Sequence, residues 1–76
     1  MELTDFIKNF ASQFDETDAS VFQANTKFKE LEEWSSLIAL SVIAMADEEY
    51  NAKLKGDDVR ISQTIKDLFN IVQQKA

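Results

Sequence analysis

Leu3, Phe6, Ile7, Phe10 and Phe14 stand at positions i, i+3, i+4, i+7 and i+11, with Asp5, Lys8, Asn9 and Gln13 between them. That spacing gathers the apolar side chains on one side of a helix, and it predicts a first helix over roughly residues 2–14. The periodicity then fails. From Asp15 to Ser35 the chain reads DETDASVFQANTKFKELEEWS, with Val21, Phe22, Phe28 and Leu31 as isolated apolar positions and Trp34 near its end. A connection of about twenty residues is long for a compact domain, so these residues are expected to pin a loop to the core.

A helical pattern returns in SLIALSVIAMADEEY. Ser35 or Ser36 is placed to cap the free N–H groups of its first turn, and Asn51 to end it after Tyr50. This segment carries two stripes. Ala39, Val42, Ile43, Ala46 and Tyr50 form a face that reads as core, while Leu37, Leu40, Ser41, Ala44 and Glu48 form a second that turns from apolar to acidic. A helix apolar on most sides is usually central in its fold, yet a chain this short can hardly wrap one helix completely. The second stripe, continuous with the acidic run Asp47, Glu48 and Glu49, is therefore expected to be an exposed docking face. Its apolar residues would supply affinity, and its carboxylates would steer and orient a basic partner.

Farther along, NAKLKGDDVRIS holds Leu54, Val59 and Ile61, with Asp57 and Asp58 suited to the first turn of one short helix. Ser62 or Thr64 then caps a last helix whose inward face is Ile65, Leu68, Phe69 and Val72. Thr64 and Asp67 stand at capping-box spacing, and the helix is expected to fray after about Gln73. The expected fold is all-α: a small four-helix bundle, three long helices and one short, with a long loop between the first two, in a single domain over residues 1–76.

Composition narrows the chemistry. There is no cysteine, no histidine and no proline, and Gly56 is the only glycine. Disulfide staples, a zinc site and tight hairpins are not expected, so stability must come from packed apolar side chains. Asp57 and Asp58 lack the alternating oxygen ligands of a calcium loop, and no metal is expected. Fourteen acids against eight bases give a net charge of −6, which argues against nucleic acid or an anionic membrane as partner and for a basic protein. No run approaches the ~18 apolar residues of a membrane span, and MELTDFIKNF carries acids where an export signal carries positive charge. A cytoplasmic monomer is expected. Without a histidine base or a strand–turn–helix elbow around Ser36, the chain is not expected to be an enzyme.

Several motifs are in common register. Ser35-Ser36-Leu37 opens the second helix, Asp47-Glu48-Glu49-Tyr50 closes it, Leu54, Val59 and Thr64-Ile65 follow, and NTKFKEL with its Phe28 precedes. In these residues and spacings, from about Asn25 to the C-terminus, the chain resembles the acyl carrier proteins, whose mark is an Asp-Ser-Leu triplet opening the second of four helices. It departs from that family at three places: Ser35 replaces the aspartate, Glu32-Glu33-Trp34 replaces a glycine-containing turn, and Ser41 stands where many members carry a recognition glutamate.

The resemblance implies that Ser36 carries 4′-phosphopantetheine. It also implies docking of a phosphopantetheinyl transferase and of acyl-transferring or acyl-modifying enzymes, through their basic patches, on Leu37, Leu40, Ala44, Asp47 and Glu48. The acyl chain would lie between the second and third helices near Leu54 and Val59. Fatty acyl, aminoacyl and polyketide cargo all fit this pattern. The alternative is an unmodified acidic helical adaptor that binds a basic partner through the same face of the second helix, a reading kept open by Ser35 in place of aspartate.

Overall fold

The computed structural model covers Met1–Ala76 and contains four α-helices and no strand. They are α1 (Leu3–Ala11), α2 (Ser36–Tyr50), α3 (Gly56–Ile61) and α4 (Ile65–Lys75). α1 packs against α2 and α4, and α3 packs against the same two helices. No helix is long and apolar enough to cross a membrane.

α1 is shorter than its periodicity predicts. The Asn9 carbonyl, which the Gln13 N–H would take in a longer helix, accepts instead from Ser12 Oγ (2.7 Å) and Gln13 Nε2 (3.0 Å). Such local side-chain bonds compete with the helical ladder, and the helix stops at Ala11. The N–H groups of Gln13 and Phe14 donate to the carbonyls of Phe10 and Ala11, a tighter turn that still delivers Phe14 into the core.

The stretch 12–35 that follows contains two single turns of 3₁₀ helix, Ala19–Val21 and Phe28–Glu30. Phe22 and Phe28 are buried, their ring centroids 6.1 and 5.2 Å from that of Phe10. Trp34 is half-buried, edge-on to Phe28 at 4.9 Å and stacked on Phe14 at 6.3 Å. Tilted, edge-on and offset arrangements of this kind are the favoured ones for aromatic rings. Val21, expected to point inward, is 40% exposed. It is the direct neighbour of Phe22, only one of the two can face the core, and the larger ring buries more apolar area. The carbonyls of Ala24 and Thr26 accept from the N–H groups of Lys66 and Ile65, so this connection also satisfies the start of α4.

α2 ends at Asn51, which adopts a left-handed conformation (φ 54°) and donates its N–H to the Asp47 carbonyl, while the Ala52 N–H returns to the Ala46 carbonyl. Its buried residues are Val42, Met45 and Ala46; Ala39, Ile43 and Tyr50 are half-buried. The inward face is thus rotated toward Met45 relative to the sequence expectation, because α2 is covered by both α1 and α3. α4 starts at Thr64, whose Oγ1 accepts from the Asp67 N–H while Asp67 Oδ2 accepts from the Thr64 N–H, and it runs two residues past Gln73. Ser62, the other candidate cap, is buried just after the end of α3, and its hydroxyl donates back to the Asp58 carbonyl within that helix.

Candidate functional site

The two serines before Leu37 have different roles. Ser35 is extended (φ −155°, ψ 173°), its Oγ accepts from the Ile38 N–H at 3.3 Å, and its carbonyl accepts from the Ala39 N–H at 2.9 Å. It is the N-cap. Ser36 is therefore the first residue of α2, exposed to solvent, with its hydroxyl free of capping duty. The N–H groups of Ser36 and Leu37 have no partner within the protein. A free hydroxyl beside two unpaired donors at the positive end of a 15-residue helix suits attachment of a phosphodiester, whose charge that end favours by roughly 0.3–1 kcal/mol.

Beside Ser36 runs the second stripe of α2. Leu37 and Leu40 are 73% and 63% exposed, and Ala44 and Glu48 are exposed as well. Asp47 is half-buried and accepts from Lys53 Nζ at 2.7 Å, a solvent-facing pair of small energetic weight that leaves its carboxylate able to exchange partners. Ser41 lies half-buried within the stripe. Ile61, at the end of α3, is a further large apolar side chain left 63% exposed; no periodicity in its short helix marks it beforehand.

Leu54 and Val59 lie in the core, 6% and 5% exposed. No cavity opens at either residue. The four surface depressions of the molecule are lined by other residues, none of them from α2.

One residue of this region has no counterpart in the sequence expectations. The Glu33 carboxylate accepts from the N–H groups of Asp15 (2.6 Å), Glu16 (3.0 Å) and Thr17 (2.9 Å) and from the Thr17 hydroxyl (2.7 Å). Partial desolvation pushes its pKa up, but the hydroxyl and the three backbone donors together outweigh this and hold it below the usual glutamate value. Its partners lie 16 to 18 residues away in the chain, too far for any local pattern to disclose.

Compared with models of known protein families, with curated proteins and with solved structures, the chain finds no match.

Proposed function

We propose that the chain is an acyl carrier: a small four-helix bundle, wrapped by the connection between α1 and α2, that presents Ser36 for attachment of 4′-phosphopantetheine. The observation that carries this reading is the exposed Ser36 hydroxyl at the unpaired N-terminus of α2, with Leu37 and Leu40 exposed alongside it. The sequence resemblance supplies the chemical identity of the group.

In attachment, Ser36 Oγ bonds to the phosphorus that bears pantetheine in coenzyme A. The hydroxyl proton passes to a base of the transferase, and the bond from that phosphorus to the nucleotide breaks, releasing adenosine 3′,5′-bisphosphate. Ser35 holds the first turn of α2 in place throughout, since its side chain and not that of Ser36 makes the cap. The N–H groups of Ser36 and Leu37, unpaired within the protein, would be available to hold the new negative charge. When bound, the group supplies a flexible arm ending in a thiol, which a chain without cysteine lacks, and it brings thioester-held cargo to a docked enzyme at an effective concentration of order mM.

Docking falls to Leu37, Leu40, Ala44, Asp47 and Glu48, whose apolar and acidic character suits a basic enzyme surface. Cargo shielded near Leu54 and Val59 requires α2 and α3 to part, because both side chains are packed in the closed core. The proposed setting is cytoplasmic and the working form a monomer.

Intact mass after incubation with a phosphopantetheinyl transferase and coenzyme A tests the proposal. A carrier gains ~340 Da and Ser36→Ala abolishes the gain. A chain that stays at its original mass is instead the unmodified adaptor.

A further inference from the structure

We propose that Glu33 is a positioning residue for the modification of Ser36, its carboxylate fixing the segment that leads into α2 so that the serine hydroxyl is held in one place; this rests on the carrier reading above. Oε1 of Glu33 accepts from the Glu16 N–H, the Thr17 N–H and the Thr17 hydroxyl, and Oε2 accepts from the Asp15 N–H. One side chain thus satisfies three consecutive backbone donors of the turn that follows α1. Such a run of N–H groups is a natural cradle for an anion. No cation shares the task, since the ion pairs of the molecule lie at Asp47, Asp57 and Asp58.

The next two residues are held by contacts of other kinds. Trp34 lies against Phe14 and Phe28, and Ser35 caps α2. Neither glycine nor proline occurs between Leu31 and Ser36 to set the course of the chain through its own backbone. A turn closed by the Trp34 N–H on the Leu31 carbonyl leads into α2, and it is held in place by the carboxylate clamp on one side and the aromatic contacts on the other. Ser36 follows at once.

Phosphoryl transfer needs the attacking oxygen in line with the bond that breaks, and misplacement by about 1 Å costs on the order of a hundredfold. Without the Glu33 carboxylate the donors of residues 15–17 turn to water, and the segment before Ser36 keeps only the Trp34 contacts and the Ser35 cap, which leaves its path less fixed. The apolar ridge at Leu37 and Leu40 belongs to α2 itself and is left as it was. The signature of a positioning role is therefore a loss in kcat at constant KM.

The test follows modification of the wild-type chain and of E33A, E33Q and T17V by a phosphopantetheinyl transferase with coenzyme A, with product counted by intact mass. E33A is expected to lower kcat by about tenfold to a hundredfold with KM unchanged. The emission of Trp34, the only tryptophan, should move to the red while the far-ultraviolet helical signal is retained. E33Q keeps one carbonyl oxygen for Thr17 and should fall between E33A and the wild type.

E33A modified at the wild-type kcat overturns the proposal. So does a raised KM with kcat unchanged, which assigns Glu33 to docking. Should E33A lose its helical signal, T17V decides, because it removes only the hydroxyl donor: kcat should fall about twofold to tenfold at full helicity, and a wild-type rate overturns the proposal. A wild-type chain that gains no mass overturns the carrier reading and this proposal with it, whereas the preceding outcomes overturn the proposal alone.

Discussion

Asn9 Nδ2 donates to the Tyr50 hydroxyl at 2.7 Å, joining α1 to the last residue of α2, while the ring of Tyr50 sits 5.8 Å from that of Phe6. The ring contributes apolar packing, and the bond fixes its polar edge. Tyr50→Phe keeps the first and removes the second, leaving a partly buried amide donor without its acceptor. The expected cost is about 1–2 kcal/mol. It should appear as a lower urea midpoint at an unchanged slope; an unaltered midpoint would mean that water replaces the hydroxyl at no cost.

Ser35 and Ser36 are adjacent, yet their alanine variants should differ. Ser35→Ala removes the acceptor for the Ile38 N–H and should cost about 1 kcal/mol. Ser36→Ala removes an exposed hydroxyl that caps nothing, and its effect should stay within about 0.5 kcal/mol. Ser35→Asp keeps an acceptor at the cap and adds negative charge at the helix N-terminus, so it should raise stability by roughly 0.3–1 kcal/mol. Thermal unfolding of the three variants side by side checks all of this. A loss in Ser36→Ala equal to that in Ser35→Ala would reverse the assignment of the cap.

These differences mark what could be read from the chain alone. The start of α4 was legible because Thr64 and Asp67 are three residues apart and complete their bonds within one turn. The inward face of α4 was legible because its apolar residues keep helical spacing to the end. The exposure of Leu37 and Leu40 could be argued from size, since so short a chain cannot cover every side of α2. The end of α1 could not, because the apolar spacing runs on to Phe14 while Ser12 and Gln13 divert the carbonyl that the helix needs. Met45 was missed because the rotation of α2 is set by the helices packed on it, and Glu33 because its partners come from another part of the chain.

Asp58 links α3 to α4. Its carboxylate accepts from the Lys55 N–H at 2.9 Å and pairs with Lys75 at 3.3 Å. The backbone bond above all, aided by Lys75 and against partial desolvation, holds its pKa below the usual aspartate value. Asp67 is lowered in the same sense by the N–H groups of Thr64 and Gln63. A carboxylate whose pKa is lower folded than unfolded adds stability that is fully present above the unfolded value and is lost as pH falls through the folded one. The urea midpoint should therefore hold steady from neutral pH down to about pH 5 and decline below about pH 4. Asp58→Asn should lower the plateau and make the acid decline shallower. A decline equally steep in that variant would place the acid-sensitive groups elsewhere.

Leu40 separates the surface role of α2 from its structural one. Its side chain is 63% exposed on a helix whose neighbours at Val42 and Ala46 are fully buried. Leu40→Glu should change stability by no more than about 0.5 kcal/mol, since it empties no cavity and buries no charge. Placed at the centre of an apolar ridge, the same carboxylate must be desolvated against whatever apolar surface the partner brings. KM for the transferase should rise about tenfold or more, with kcat for bound chain little altered. The two readouts are independent: lost helical signal would show that Leu40 supports the fold, and an unchanged KM at full helicity would remove this ridge from the docking surface while leaving Ser36 exposed for modification by another route.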